Sequence, residues 1–185
     1  MQIIFKGKTK TGKEIVVRYP ELGDEKEMLA YINKLSKEKT FIRLQGEELT
    51  FVDETKYLKS QLEKIKNNKT VQLLVFNNKK LVGISGIDMK DKTEKHLGVL
   101  GISIAKDFRS DGLGKLLMEL ILKEAENTIL ELKIVTLEVY STNNVARNLY
   151  KKFEFKEYGN LPNGVTRRNK FEDAIFMYKN INTLV

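Results

Sequence analysis

The chain has no cysteine, no tryptophan, two prolines and one histidine. Without cysteine it can hold neither a disulfide nor a thiolate-bound metal, which is compatible with a reducing cytosol. So few prolines argue against long disordered linkers. No apolar run reaches the length of a membrane span, and residues 1–6 lack the long apolar core of a signal peptide. We therefore expect a cytoplasmic protein that binds no metal and does not enter a membrane.

The 185 residues, 41% hydrophobic and 31% charged, are typical of one globular domain spanning residues 1–185. The net charge of +8 has two interpretations: an anionic partner, such as a nucleic acid or a phosphate-rich cofactor, or a lysine-rich solvated surface. The basic residues are spread out as lysines rather than clustered as arginines among aromatics. This distribution favours the solvated surface.

Hydrophobic periodicity alternates between two and 3.6 residues, which predicts a mixed α/β fold. Asp24 is a candidate N-cap of a helix carrying Met28, Ile32 and Leu35. Residues 112–126 form a clear amphipathic helix pattern. Residues 159–170, with Pro162 and Gly164, have the composition of a loop. Strands are predicted at residues 3–5, 15–18, 71–76, 80–87, 97–104, 135–139, near 155, and at 174–178.

Residues 109–114, Arg-Ser-Asp-Gly-Leu-Gly, lie between a predicted strand and the amphipathic helix. A glycine-rich turn at this point leaves backbone N–H groups free at the helix N-terminus, where the helix dipole favours negative charge. Glycines also let a phosphate approach the backbone. Arg109 and Lys115 could add positive charge. The segment therefore has the physical properties of a pyrophosphate site.

Two common phosphate motifs do not fit this segment. Lys115 is not followed by Ser or Thr, as a P-loop requires, and Leu117 stands where a dinucleotide fingerprint has its third glycine. What remains is Arg-x-x-Gly-x-Gly, formed by Arg109, Gly112 and Gly114. This pattern resembles the coenzyme A loop of the GNAT superfamily of N-acetyltransferases.

A second segment strengthens the resemblance. Residues 143–150, Asn-Asn-Val-Ala-Arg-Asn-Leu-Tyr, are similar to the family's later motif Asn-x-x-Ala-x-x-Leu-Tyr. The order of strands and helices agrees from about residue 16 to residue 179, nearly the whole chain. One position departs from the pattern: Glu154 replaces a glycine in a turn before a strand, which leaves the geometry of that turn open.

The resemblance implies the GNAT fold: a central mixed, mostly antiparallel twisted sheet of about seven strands flanked by helices. The family's fourth and fifth strands, here residues 97–104 and 134–140, splay apart. It also implies acetyl transfer from acetyl-CoA to a primary amine of a small molecule or protein, by direct attack in a ternary complex. The pantetheine arm would lie between the splayed strands, and the N–H of Ile104 would polarise the acetyl carbonyl.

The resemblance assigns cofactor contacts to the end of the first splayed strand, to the loop and to the later motif. These contacts are Ile102, Ser103, Ile104, Arg109, Ser110, Asp111, Gly112, Leu113, Gly114, Lys115 and Asn143. Asn143 would also suit a helix N-cap. Tyr150 matches the family's general acid, since a phenol can protonate a departing thiolate. Its alternative role is that of an amphipathic core tyrosine.

The base that deprotonates the amine is less defined. Glu138 occupies a strand position that some members use as a base, but it could equally be a polar residue on the solvent side of that strand. His96 has a suitable intrinsic pKa yet lies at a strand start, and Asp88 is a weaker candidate. A water chain would need no single base.

Two other charged pairs could border the acceptor pocket. Glu47 and Glu48 could hold a cationic amine or form a solvated pair in a loop, and Arg167 and Arg168 could face an acidic substrate or solvent. The acceptor itself stays open, because one scaffold hosts many pockets. The resemblance also leaves a homodimer open.

Two alternative functions remain. One is a non-catalytic acyl-CoA-binding regulatory module, against which the retained Tyr150 argues. The other is a nucleic-acid-associated protein, motivated by the charge and ranked last because no recognition motif is present.

Overall fold

A computed structural model describes residues 2–181, which form eight strands and four helices. The strands are β1 (Ile3–Lys8), β2 (Glu14–Arg18), β3 (Thr70–Asn77), β4 (Lys80–Met89), β5 (Leu97–Ile104), β6 (Ile134–Tyr140), β7 (Lys156–Arg167) and β8 (Lys170–Asn180). The helices are α1 (Glu25–Lys37), α2 (Phe51–Lys66), α3 (Leu113–Thr128) and α4 (Asn144–Lys152). None of these four helices is long and apolar enough to span a bilayer.

All eight strands belong to one sheet, in the order β1-β2-β3-β4-β5-β6-β8-β7. Neighbouring strands are antiparallel except for β5 and β6, which run parallel. A parallel pair needs a long crossover connection, and α3 supplies it. The expected mixed, mostly antiparallel sheet flanked by helices is therefore confirmed, with eight strands in place of about seven.

The helices cover both faces of the sheet. On β5, Ser103 hydrogen-bonds Tyr31 of α1, at 2.9 Å. On β4, a Cβ built on Gly83, the partner of Ile104, would lie 3.4 Å from the side chain of Leu117 in α3. Because successive residues of a strand point to opposite faces, α1 and α3 lie on opposite sides.

The amphipathic pattern predicted for α3 is borne out by its burial. Its apolar side chains at helical spacing are almost completely removed from water: Leu113, Leu117, Met118, Ile121 and Ala125. Burying each large side chain contributes roughly 1.5–3 kcal/mol. This packing fixes the helix N-terminus at the carboxyl end of β5.

The loop predicted for residues 159–170 is wrong. Most of this segment belongs to β7, which pairs with β8, and the two strands are joined at Arg168 and Asn169, both with positive φ. Such a two-residue turn matches the twist of a hairpin. Pro162 and Gly164 fall where the register shifts. A bulge on an edge strand tolerates both residues, which explains why the composition was misleading.

Asp24 occupies the N-cap position of α1, as predicted, but its side chain does not cap the helix. Its carboxylate accepts two hydrogen bonds from the guanidinium of Arg18, at 2.6 and 2.7 Å, and one from the N–H of Glu21 at 2.9 Å. Both partners of this ion pair are buried. The pair ties the start of α1 to the end of β2.

Replacing Asp24 with alanine is expected to lower the free energy of unfolding by about 3 kcal/mol, since it leaves Arg18 buried without its counter-charge. Denaturant unfolding followed by circular dichroism measures the loss. The matched control is Asp91→Ala, which removes an exposed carboxylate without a capping hydrogen bond and should change stability by less than about 0.5 kcal/mol. Equal losses in the two variants would contradict a structural role for the pair.

Candidate active site

Strands β5 and β6 pair over only three residues and then separate. The paired positions are Leu97 with Ile134, Gly98 with Val135, and Val99 with Thr136. From Leu100 onwards, the edge of β5 that faces β6 has no strand partner among the described residues. On its other side, β6 remains paired with β8 along its full length. The predicted splayed strands are thus present, and they leave an opening in the sheet.

The hydrogen-bond alternation of β5 shows which backbone groups face this opening. Ala105 donates its N–H to the carbonyl of Val82 at 2.9 Å, in register with the β4–β5 ladder. In an antiparallel ladder every second residue bonds the same neighbour, so Ser103 also faces β4. The backbone groups of Ile102 and Ile104 point the other way, into the opening. An extended molecule with amide groups could therefore hydrogen-bond to the backbone of both residues.

The predicted coenzyme loop joins the end of β5 to α3. It turns sharply, with positive φ at Ser110 (61°) and at Gly112 (82°). Gly112 is the N-cap of α3 and brings no capping side chain. The first N–H groups of the helix therefore have no intrahelical acceptor and face outward, where the helix dipole favours an anion.

Gly114 brings the start of α3 close to two neighbouring elements. A Cβ at this position would lie 3.3 Å from Leu149 of α4 and 3.4 Å from Ile104 of β5. A larger residue would push these elements apart. The opening, the helix N-terminus and α4 consequently meet at one place.

The side chain of Arg109 braces the loop instead of projecting freely. Its Nε donates to the carbonyl of Ile104 at 2.9 Å, and its Nη2 bonds Glu38, at the C-terminus of α1, at 2.7 Å. Lys115 pairs with Glu119 on the exposed side of α3, at 3.4 Å. Much of the positive charge expected from these two residues is therefore neutralised by carboxylates of the chain.

The turn between β1 and β2 lies against this loop, a contact for which the sequence carries no signal. Asp111 accepts hydrogen bonds from the N–H and hydroxyl of Thr11, at 2.8 and 2.7 Å, while its carbonyl accepts from the N–H of Lys10. The Thr11 hydroxyl is the largest cause that lowers the pKa of Asp111, to about 2. Asp111 thus stays ionised and holds the hairpin at all ordinary pH values.

This contact brings Lys10 to the N-terminus of α3. Its alkyl chain packs over Gly112, where an added Cβ would lie 3.1 Å from its Cε. Among residues 2–181, its ammonium group has no hydrogen-bond or ion-pair partner. Sequence reasoning missed Lys10, because about a hundred residues separate it from the loop.

Tyr150 and Asn143 lie at the two ends of the later motif. The side chain of Asn143 accepts a hydrogen bond from the N–H of Ala146 at 3.2 Å, so it caps α4, as its residue type predicts. Tyr150 is 7% exposed and packs against Phe155. Burial raises the pKa of Tyr150 to about 12 from the ordinary value of 10.0. Both values lie above neutral pH, so the phenol is protonated there with or without the shift.

The turn after α4 carries Glu154 where the family pattern has a glycine. Glu154 adopts a left-handed conformation, with φ of 65°, and its carboxylate bonds Lys179 at 2.8 Å. A side chain in this conformation costs roughly 1–2 kcal/mol relative to glycine. The ion pair with β8 holds the turn.

The three candidate bases occupy different parts of the sheet. Glu138 is exposed on β6, two residues beyond the last position paired with β5. His96 precedes β5, six residues or roughly 20 Å of extended strand from Ile102, which places it far from the opening. Asp88 lies on β4, opposite Val99, and pairs with Lys64 at 3.3 Å. Of the three, only Glu138 lies on a strand that borders the opening, beyond the paired positions.

The two charged pairs at the predicted acceptor pocket are bound within the chain. Glu47 accepts a hydrogen bond from the N–H of Gln45, and Glu48 pairs with Lys37. The guanidinium of Arg167 lies 4.3 Å from the ring centre of Phe41.

Arg167 also bonds Glu172 at 2.8 Å. Arg168 donates from Nε to the carbonyl of Lys39, at 3.2 Å, and from its N–H to Gln45. The tip of the β7–β8 hairpin is therefore attached to the loop between α1 and α2.

The face of α2 that packs on the sheet is partly polar. Glu54 and Gln61 are 4% and 3% exposed and flank the fully buried Leu58. The Glu54 carboxylate has neither a hydrogen bond nor an ion pair within residues 2–181. Burial alone raises its pKa to about 7. Across residues 2–181, no group of three or more His, Cys, Asp or Glu side chains is arranged to hold a metal ion.

Comparison with known proteins agrees with this geometry. The model of the family described as Acetyltransferase (GNAT) family matches residues 38–155, more than half of the chain. The chain belongs to the GNAT acetyltransferase family. A crystal structure of a GNAT-family acetyltransferase from Streptococcus pneumoniae is 31% identical and superimposes with a TM-score of 0.83, covering 91% of this chain and 100% of that one.

More distant structures share the fold of this GNAT protein. The ribosomal L7/L12 alpha-N-protein acetyltransferase RimL in complex with coenzyme A is 9% identical, with a TM-score of 0.79 over 98% of this chain and 99% of that one. A spermidine N-acetyltransferase from Vibrio cholerae, in complex with CoA and spermine, is 24% identical, with a TM-score of 0.70 over 90% and 95%.

A curated relative of this GNAT protein is N-alpha-acetyltransferase 60 from Danio rerio. It is 29% identical over 85 residues, which are 45% of this chain and 35% of that protein. The chain thus matches about a third of the length of this relative. The likeness covers a part of both proteins only.

Replacing Glu54 with glutamine is expected to stabilise the protein in a pH-dependent way. Between the usual carboxyl pKa of 4.5 and the folded-state value of about 7, the native state holds a proton that the unfolded state has released. The wild type therefore loses stability as pH rises through this window, and the variant does not. At pH 8 we expect the variant to melt about 4 °C higher, and at pH 4.5 the two should melt together.

Thermal unfolding at both pH values measures this difference. The matched control, Glu63→Gln, changes an exposed carboxylate on the same helix and should follow the wild type at each pH. A melting-temperature difference independent of pH would show that Glu54 does not titrate with a raised pKa.

Proposed function

We propose that this GNAT protein transfers the acetyl group of acetyl-CoA to a primary amine, by direct attack within a ternary complex. The observation that carries the proposal is the opening between β5 and β6, which ends at the uncapped N-terminus of α3. A chain that enters this opening meets unpaired backbone groups first and an anion-binding helix end next. The amide groups of a pantetheine arm could bind to these backbone groups, and the pyrophosphate that follows the arm could bind to the helix end.

The backbone of β5 would bind and orient the thioester. Ile102 offers its N–H and carbonyl to the pantetheine amides, as a neighbouring strand would. The carbonyl of Ile104 is occupied by Arg109, which leaves its N–H to point at the acetyl oxygen. A fixed donor stabilises the negative charge that develops on this oxygen as the amine attacks.

The phosphates would lie against the N–H groups of residues 112–115. We assign the charged contact to Lys10, because its ammonium group is free while Arg109 and Lys115 are paired with Glu38 and Glu119. Ser110 and Asp111 would shape the loop, the first through its left-handed backbone and the second through its bonds to Thr11. Asn143 would fix the start of α4 beside the coenzyme.

Proton transfer would complete the reaction. The attacking nitrogen forms a bond to the acetyl carbon, the bond from that carbon to sulfur breaks, and the sulfur takes a proton from the Tyr150 phenol. Tyr150 suits this role because its phenol carries a proton at neutral pH. Glu138, or water beside it, would accept the proton that the substrate ammonium loses. The cytoplasmic location and the homodimer stay predictions.

The direct test is thiol release from acetyl-CoA in the presence of a panel of primary amines, small and peptidic. Release above the hydrolytic background with at least one acceptor supports the proposal. Tight coenzyme A binding without acetyl transfer to any acceptor would instead support the regulatory module.

The Tyr150→Phe variant is expected to lose about 100-fold to 1,000-fold in kcat, the range that general-acid catalysis contributes. Its KM for acetyl-CoA should stay within about twofold, because the ring and its packing are kept. Initial-rate measurements of thiol release separate the two constants. Tyr158→Phe, at an exposed tyrosine on β7, is the matched control and should behave as the wild type. An unchanged kcat in Tyr150→Phe would remove the assigned acid.

The Lys10→Ala variant is expected to raise the KM for acetyl-CoA about 5-fold to 10-fold, the loss of roughly 1–1.4 kcal/mol of phosphate binding. Its kcat should be unchanged, because the phosphates lie away from the reacting carbon. Lys6→Ala, at an exposed lysine of β1, is the control with equal loss of charge. An equal rise of the KM for acetyl-CoA in both variants would mean that general electrostatic attraction, and not a specific contact of Lys10, explains the effect.

A further inference from the structure

A row of opposed residues crosses the face of the sheet that carries α1 and α2. Gln72 of β3 lies opposite Gly86 of β4, which lies opposite Gly101 of β5. Directly opposed residues point to the same face. A Cβ built on Gly101 would meet nothing within 4 Å, so the space above it is open.

The same row continues across the opening. Gly101 lies two residues beyond the last position of β5 paired with β6, and Glu138 lies two residues beyond the partner of that position, Thr136. Because side chains alternate along a strand, Glu138 shares the face of Gly101. The row is therefore a trough with a glycine floor, open above Gly101, with Gln72 at one end and Glu138 at the other.

Helix α2 covers the Gln72 end of this trough with polar side chains. The amide nitrogen of Gln72 donates to the hydroxyl of Tyr57 at 2.7 Å, and that of Gln61 lies 3.5 Å from the carboxylate of Asp88. Burial is the main cause that raises the pKa of Tyr57, to about 12, and the nearby charges of Asp88 and Glu54 add to it. Five residues with side-chain hydrogen-bond acceptors thus gather at this end: Glu54, Tyr57, Gln61, Gln72 and Asp88.

Several of these acceptors are unsatisfied within the described chain. The side-chain oxygens of Gln61 and Gln72 are buried without a hydrogen-bond partner, and both residues are 3% exposed. The Glu54 carboxylate, 4% exposed, has no partner either. A buried acceptor without a hydrogen-bond partner lowers the stability of the folded protein. A ligand rich in N–H groups and positive charge would offset that loss.

We propose that the acceptor substrate is a linear diamine or polyamine that lies along this trough. The assignment rests on the proposed acetyl transfer. The reacting amine lies above Gly101 at the opening, and a second ammonium group is held by Glu54, Gln61 and Gln72. Two strand spacings separate Gly101 from Gln72, roughly 10 Å between backbones, and the Gln72 side chain leans over Gly86 and shortens this span.

The chemistry of the trough separates this substrate from other amines. A monoamine would reach the opening but leave the acceptors under α2 unsatisfied. The carboxylate of an amino acid would lie beside Glu54 and Asp88 and be repelled. In the reaction, one amine of the substrate loses a proton and gains the acetyl group, and the thiol of coenzyme A takes up a proton. The second amine keeps its charge.

The test compares putrescine and spermidine with butylamine, which has the carbon chain of putrescine and one amine, at saturating acetyl-CoA. We expect kcat/KM for the better polyamine to exceed that for butylamine about 100-fold, mainly through KM. Glu54→Gln should lower the polyamine kcat/KM about 10-fold and leave butylamine unchanged. Glu63→Gln on the exposed side of α2 is the matched control, expected to resemble the wild type.

Calorimetric titration of putrescine and spermidine into the coenzyme A complex gives a second readout, independent of turnover. Binding of at least one of them that is weakened about 10-fold by Glu54→Gln supports the inference. Equal kcat/KM for butylamine and the polyamines, or transfer confined to peptide N-termini, overturns it while acetyl transfer stands. Absence of both coenzyme A binding and transfer overturns the proposed function, and this inference with it.

Discussion

The separation of β5 from β6 after three paired residues is the constraint on which the remaining features of the site depend. In an ordinary sheet the backbone groups of Ile102 and Ile104 would be satisfied by the next strand. Here they face an opening, and unpaired backbone groups in a protein interior are costly unless another polar group meets them. The neighbouring elements keep this opening in place. On one side β4 pairs with β5, and on the other β8 pairs with β6 along its whole length.

The loop after β5 shows how charge is divided between structure and binding. Arg109, the most conspicuous residue of its motif, connects the carbonyl of Ile104 to Glu38 and so joins the loop to α1. The free cation at the start of α3 comes instead from the N-terminal hairpin, which Asp111 attaches to the loop. A phosphate site can thus be assembled from two distant parts of the chain, one of which supplies shape and the other charge.

The side chains that α2 packs against the sheet differ in polarity from those of α3. Helix α3 meets the sheet with apolar side chains alone, and its position is determined by packing. Helix α2 brings Glu54 and Gln61 to the sheet beside Leu58. A buried carboxylate with a raised pKa and two unsatisfied amide oxygens lower stability, and such groups cluster where a protein binds or transforms a ligand. In the proposed binding mode this cluster lies two strands away from the opening and holds the far end of the acceptor, a role that its residue types alone do not predict.

Local patterns predicted the elements well where the periodicity was strong. The strand Leu97–Ile104 has the predicted bounds, α3 begins at Leu113, one residue after the predicted start, and the order of elements agrees with the GNAT family. The segment 159–170 was misread because its proline and glycine are common in loops, and only the pairing with β8 shows that they lie in a bulge of an edge strand. Asp24 occupies the predicted cap position, but its carboxylate bonds the buried guanidinium of Arg18 and does not cap the helix.

The sequence by itself determined the family and the fold and predicted a coenzyme loop, because each of these depends on residues close together in the chain. Tertiary structure decided which side chains surround that loop and what lies above Gly101. Lys10 meets Gly112, and Tyr57 meets Gln72, only after folding has brought together segments that are separate in sequence. The direction in which a side chain points, and the partner that satisfies it, are properties of packing. No local pattern of residues carries them.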